Sequence, residues 1–341
     1  MKTTAGRFFE DYRVGQVLRH GVPRTISGGE RALYHALYPA RHALYSSDPF
    51  AESCGLRASP LEDLAAFHIV FGKTVPDVSL NAVANLGYAE GRFLRPVYEG
   101  DTLHAESEVI GLKENSSGKT GVVWVRTRGR DQSGREVMSY VRWVMVKKRD
   151  AAAPAPETVV PALADAVAPG EIALPKGLSF AGYDFALAGE PHRWGDYAVG
   201  EAIDHVDGVT IEEAEHMMAT RLWQNTAKVH FDATARPDGT RLIYGGHVMS
   251  MARALSFNGL ANAQMIVAIN GGAHANPCTA GMTIRAWSEV LDRAEMAAPG
   301  VGALRLRLVA TTGRAGALRG EDGKYLPEVL LDLDYWALVP I

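Results

Sequence analysis

Hydrophobic and polar positions along this chain fall into two rhythms, and each rhythm occurs twice. Residues 122–128 (Val122-Val123-Trp124-Val125-Arg126-Thr127-Arg128) and 138–146 alternate apolar with polar side chains at a period of two, and residues 304–309 do the same. That period sends successive side chains to opposite faces of a ribbon, so each stretch predicts a half-buried strand. Turns containing glycine, Ser116-Ser117-Gly118 and Glu321-Asp322-Gly323, separate such stretches and predict antiparallel neighbours. Residues 61–71 and 247–255 are instead rich in small and apolar side chains and predict one apolar helix in each half. A helix followed by several long antiparallel strands gives an α+β unit with the sheet wrapped around the helix.

An internal repeat ties the two halves together. Asp11-Tyr12-Arg13-Val14-Gly15-Gln16 recurs as Asp196-Tyr197-Ala198-Val199-Gly200-Glu201, and Thr25-Ile26 with Glu30 recurs as Thr210-Ile211 with Glu215, both at an offset of 185 residues. Further on, Pro96 with Gly100 matches Pro277 with Gly281 at an offset of 181. So small a drift over most of a domain is the mark of duplication with short loop deletions. The fold class is therefore α+β, a tandem (double) hot-dog. Residues 1–150 form the N-terminal hot-dog domain and residues 178–341 the C-terminal one. Between them, 151–177 is rich in Ala and Pro, which breaks any long helix or central strand. It reads as a linker, or else as an ordered surface crossing packed on both domains.

With 341 residues and 47% hydrophobic content, the chain has material for two cores. The net charge of −4 and the scatter of its Lys and Arg residues argue against a nucleic-acid partner. Cys54 and Cys278 are far apart with no metal-ligand spacing, so neither a disulfide framework nor a metal site is expected. No signal-peptide core opens the sequence and no run of about 18 apolar residues follows, which predicts a cytoplasmic protein without a membrane partner.

Four segments carry a family resemblance: 8–15 (Phe-Phe-Glu-Asp-Tyr-Arg-Val-Gly), 46–51 (Ser-Ser-Asp-Pro-Phe-Ala), 91–102 with its Arg92-Phe93-Leu94-Arg95-Pro96-Val97, and 224–232 (Gln-Asn-Thr-Ala-Lys-Val-His-Phe-Asp). In these the chain resembles the MaoC-like dehydratase and (R)-specific enoyl-CoA hydratase family, most closely its two-domain mesaconyl-CoA hydratase branch. The resemblance implies reversible hydration of an α,β-unsaturated acyl-CoA, with mesaconyl-CoA and β-methylmalyl-CoA as the expected pair. An acyl-CoA is the implied partner, and no cofactor is called for. Single-domain relatives carry Asp-x-Asn-Pro-x-His-x-Asp in the last segment. On that pattern His230 takes the catalytic His position, Asp232 the later Asp, and Asn225 the place of the catalytic Asp. Ala227-Lys228 replaces the family's Asn-Pro.

The chemistry itself asks for a base to activate water, donors for an enolate oxygen, and an acid for the α-carbon. His230 suits the first task because an imidazole titrates near neutrality. A carboxamide cannot exchange protons, so Asn225 is expected to hold water or substrate while His230 serves both half-steps. Asp232 either contributes or, like its counterpart Asp48, braces the loop. Gly246, with Gly245 beside it, opens the second apolar helix, where free amides and the dipole favour an oxyanion. Gly246 matches the family's oxyanion-hole glycine. Tyr244 and His247 flank the pair as secondary candidates.

In the first half, Arg41 and Ser46 stand where Asn225 and His230 stand in the second, so that half is expected to be non-catalytic, and His35, His42 and His68 to be ordinary packing residues. Arg221, Arg253 and Arg41 are the candidates for meeting a carboxylate on the acyl group. Two other functions stay open: a hot-dog thioesterase, and a non-catalytic acyl-CoA-binding module. Fusion already supplies the pairing of two hot-dog units, and further assembly into a homo-oligomer also stays open.

Overall fold

The computed structural model describes residues 2–341. Strands β1 (Val17–Thr25), β2 (Ala82–Phe93), β3 (Thr102–Glu114), β4 (Thr120–Arg130) and β5 (Glu136–Lys147) belong to the first half. The second half supplies β6 (Ala202–Thr210), β7 (Ile266–His274), β8 (Thr283–Glu295), β9 (Val301–Thr311) and β10 (Val329–Pro340). All ten join one antiparallel sheet in the order β1-β3-β4-β5-β2-β7-β10-β9-β8-β6. The order reads the same from either end under exchange of the halves, and β2 and β7 meet at the centre through Tyr88 opposite Gly272 and Arg92 opposite Ala268. This is the double hot-dog expected from the repeat.

Duplication extends to single contacts. His20 Nε2 lies 2.8 Å from Ser107 Oγ, and His205 Nε2 lies 2.8 Å from Ser288 Oγ. Thr25 and Thr102 hydroxyls pair at 2.8 Å, as do those of Thr210 and Thr283. Each pair lies at the offsets of 185 and 181 residues read from the sequence.

The helices are α1 (Gly28–Leu37), α2 (Asp63–Thr74), α3 (Glu213–Leu222) and α4 (Gly245–Leu255), together with several single turns. Ser27 caps α1 with a capping box to Glu30. Every residue of α2 is buried, and so is every residue of α4 after Gly245. Both have sheet on one side and the other half's elements on the other, which is why their sequences are apolar nearly all round. Each fully buried side chain such as Phe67, Ile69 or Met249 contributes roughly 1.5–3 kcal/mol to this core.

Residues 151–177 cross between the halves against the sheet. Val159 exchanges both backbone hydrogen bonds with Leu112, at 2.8 and 2.9 Å. Val167 is buried, donates to Asn270 Oδ1, and accepts from Trp336 Nε1. Gly111 makes room for the crossing, since a Cβ there would lie 2.6 Å from the Val159 carbonyl oxygen.

Candidate active site

A cavity of about 470 Å³ opens at the junction of the halves. The second half lines it with Asn225, Lys228, His230, Tyr244, Gly245 and His274, and the first half with Phe71, Asn85, Tyr88, Arg142 and Lys147. Neither half encloses it alone.

Local geometry places the loop between α3 and α4. Gln224 adopts φ 56°, which turns the chain sharply after α3, and the Asn225 amide returns to the Thr220 carbonyl at 2.9 Å. Asn225 is buried, and its Oδ1 accepts from the Ala227 amide at 3.2 Å, closing an Asx-type turn. A single helical turn (Lys228–Phe231) then carries His230 to the cavity wall. The close approach of α2 fixes this loop from behind. A Cβ on Gly72 would sit 1.7 Å from the Trp223 carbonyl oxygen, so only glycine permits it.

His230 Nδ1 lies 2.8 Å from the Leu242 carbonyl oxygen. A carbonyl only accepts, so Nδ1 carries the proton and Nε2 keeps its lone pair. Burial lowers the imidazole pKa below 6.5, opposed by the Leu242 hydrogen bond. The ring packs edge-on against Tyr244 with centroids 5.7 Å apart.

Tyr244 leads directly into α4. Its amide donates to His216 Nε2 at 2.9 Å, while the amides of Gly245 and Gly246 have no acceptor among the described residues. Two free N–H groups at the N-terminus of an eleven-residue helix make a site for developing negative charge. Gly245 lines the cavity; Gly246 lies one residue deeper. Close packing also demands both glycines. A Cβ on Gly245 would meet the His274 ring at 2.4 Å, and one on Gly246 would meet the Tyr244 ring at 2.5 Å and His68 at 2.6 Å.

Several expected positions fall elsewhere. Asp232 is exposed and lies outside the cavity, where it accepts from the Thr234 amide and hydroxyl; these bonds hold its pKa below the usual carboxylate value. Asp48 likewise accepts from the Ser59 amide, so both aspartates brace loops. Arg221 is exposed on α3 and does not line the cavity. Arg253 is buried in the other half-site, its guanidinium taken up by Ser256 Oγ and the carbonyls of Ala263 and Gln264. Arg41 stacks on Phe257 at 4.4 Å, at the surface and away from the cavity. His247 is buried within α4, with Nδ1 3.0 Å from the Tyr38 hydroxyl.

The corresponding place in the first half is filled by the protein. Asp63 stands at the start of α2, where Gly245 stands at the start of α4, and its Oδ2 accepts from the Ile266 amide at 2.7 Å and from the Tyr45 hydroxyl. Ser46, in the position of His230, donates its hydroxyl to the His42 carbonyl.

Several further cavity residues escaped the reading of the sequence, among them Tyr88, His274, Arg142 and Asn85. Tyr88 and His274 form a cross-strand pair, hydroxyl to Nε2 at 3.0 Å, and burial takes His274 down to about 4, with the nearby His230 adding to the shift. Arg142 comes from the middle of β5. Its signal was its phase, since it shares the inward face with Tyr140, Val144 and Val146.

A tandem hot-dog with a histidine and helix-end amides facing one cavity at the junction of its halves is the architecture of the MaoC-like dehydratase class. A family model described as mesaconyl-CoA hydratase matches residues 2–315. The chain is 76% identical over its full length to the mesaconyl-CoA hydratase of Cereibacter sphaeroides, which it covers completely. It is 58% identical to the beta-methylmalyl-CoA dehydratase of Chloroflexus aurantiacus, covering 99% of this chain and 98% of that one. A crystal structure of a MaoC-domain dehydratase from Chloroflexus aurantiacus superposes with a TM-score of 0.97 at 56% identity, over 100% of this chain and 99% of that one. A Mycobacterium tuberculosis protein described as a double hot-dog gives 0.74 at 24% identity, over 98% of each chain. The chain belongs to the mesaconyl-CoA hydratase family.

Proposed function

We propose that this protein reversibly hydrates mesaconyl-CoA to β-methylmalyl-CoA, with the chemistry carried by the C-terminal half. The observation behind this is the free Nε2 of His230 in a cavity that also holds the unpaired Gly245 amide. Water bound at Nε2 loses a proton to it as its oxygen attacks the β-carbon. The C=C electrons move toward the α-carbon and onto the thioester oxygen, where the Gly245 and Gly246 N–H groups and the helix dipole stabilise the enolate. The imidazolium then returns its proton to the α-carbon, so H and OH have been added and the enzyme is unchanged. Dehydration is the reverse.

Asn225 positions the water or the acyl group. Its Oδ1 is spent on the Ala227 amide, and its Nδ2 makes no hydrogen bond within the described chain. The N-terminal half is non-catalytic and completes the wall of the acyl site. Lys147 and Lys228, exposed at the rim from opposite halves, supply positive charge for the phosphates of CoA. No described helix is long and apolar enough to cross a membrane, and the reaction is assigned to the cytoplasm.

Incubation with mesaconyl-CoA, followed by enoyl-thioester absorbance together with free thiol, tests this reading. Absorbance should fall without thiol release. Release of free CoA would make the protein a thioesterase, and binding without turnover would make it an acyl-CoA-binding module.

A further inference from the structure

Arg142 is fully buried in the wall of the cavity and enters no ion pair among the described residues. Its Nη2 donates to Thr74 Oγ1 at 2.7 Å and to Ser79 Oγ at 3.1 Å, and its guanidinium lies 4.2 Å over the Phe71 ring. Nε and Nη1 have no hydrogen-bond partner among the described residues. Beside it on β2, Asn85 also lines the cavity, with both its amide nitrogen and its oxygen buried and unpartnered. Tyr88, directly opposite Arg142 in the β2–β5 register, completes this polar patch.

An arginine cannot shed its charge, and burying a charge without a counter-ion is strongly unfavourable. Folding alone gives no reason to keep one here. Thr74 and Ser79 hold the guanidinium in place, yet two neutral hydroxyls do not balance it. An anion entering the cavity with a ligand would balance it.

We infer that Arg142, with Asn85 beside it, is the subsite for the free carboxylate of the acyl group. The inference rests on the hydratase reading above. In β-methylmalyl-CoA the hydroxyl-bearing carbon also carries the free carboxylate, so this group sits one bond from the carbon that water attacks. The subsite must therefore share the cavity with the base. It does so from the opposite half: the His230 ring packs on Tyr244, the Tyr244 ring lies 5.6 Å from that of Phe71, and Phe71 carries the Arg142 guanidinium. The first half, although it lacks a base, thus selects the substrate. An uncharged acyl chain in the same place would leave the guanidinium buried and unpaired, which rejects it.

The experiment compares kcat/KM for mesaconyl-CoA and for its isosteric carboxamide, in the wild-type protein, Arg142→Gln and Arg142→Lys. Wild type should strongly prefer the carboxylate. Arg142→Gln should lose on the order of 10²- to 10³-fold on mesaconyl-CoA and with it the preference, since truncating one side of a buried charge pair costs this much. Arg142→Lys should recover part of both. Wild-type turnover of acid and amide at equal kcat/KM overturns the subsite even if no variant folds. So does an Arg142→Gln protein that keeps the wild-type ratio. Wild-type protein inert toward mesaconyl-CoA overturns the functional reading, and the subsite with it.

Discussion

His230 Nδ1 and the Leu242 carbonyl oxygen lie 2.8 Å apart, and this one contact fixes which nitrogen of the imidazole can act as a base. The ring must be neutral to take a proton from water, and burial lowers its pKa from the ordinary 6.5. kcat/KM for hydration should therefore be flat through neutrality and fall only on the acid side, with an apparent pKa below 6.5. His230→Ala should cost on the order of 10²- to 10⁴-fold while leaving the circular dichroism spectrum unchanged, because the residue lies in a loop outside the main core. Wild-type turnover by this variant would remove His230 from the mechanism.

Asn225→Asp puts a carboxylate where the single-domain relatives carry one. The Asp side chain can still accept from the Ala227 amide, so the loop should hold its shape. A negative charge in the cavity stabilises the imidazolium of His230, and the acid limb of the pH profile should move to higher pH. Rate at neutral pH should fall accordingly. A large gain in rate would mean that the asparagine does not position anything and that the natural substrate is a different acyl-CoA.

Gly72 does not touch the cavity, yet it sets where the loop bearing Asn225 and His230 can rest. Gly72→Ala forces either α2 or the chain at Trp223 to move, since the added Cβ would lie 1.7 Å from a carbonyl oxygen. Overpacking of this kind typically costs about 1–3 kcal/mol. Differential scanning fluorimetry should show a lower midpoint, and kcat/KM should drop with it because Asn225 follows two residues later. A variant as stable and active as wild type would show that the loop is held by other contacts.

Much of the architecture could be read from the sequence because both signals that specify it are periodic. The alternation in 138–146 and 304–309 gave strands of the right kind, and the 185-residue offset from Tyr12 to Tyr197 gave the duplication. His230, Asn225 and the glycines of α4 stood out because they occupy a contiguous loop and the helix start that follows it. Residues that come together only across the central β2–β7 seam had no such neighbourhood. Tyr88 and His274 are 186 positions apart, and Arg142 is known as a wall residue only once α2 and the second half's loop close over it. Arg41, Arg221 and Arg253 were reasonable by charge alone, but charge does not report which face of an element looks into a cavity. The inward phase of Arg142 among Tyr140, Val144 and Val146 did carry that information.

Glu62, just before α2, is a buried acid whose titration couples to the stability of the first half. The side chain is buried with Oε1 unpartnered; His35 Nε2 lies 3.9 Å away, beyond hydrogen-bonding distance. Burial pushes its pKa up to about 8, the neighbouring Asp63 adds to the rise, and Arg253 opposes it. An unfolded chain releases this proton near the ordinary value of 4.5, so across the interval up to about 8 the native state binds more protons than the unfolded one. Its contribution to stability is thus fully present below 4.5 and is lost as pH rises through that window. Glu62→Gln keeps the shape and removes the titration. Its unfolding midpoint should match or trail wild type at about pH 5 and exceed it by a growing margin toward about pH 9. Parallel midpoints across that range would mean that Glu62 is ionised in the native protein and that Arg253 compensates it in full.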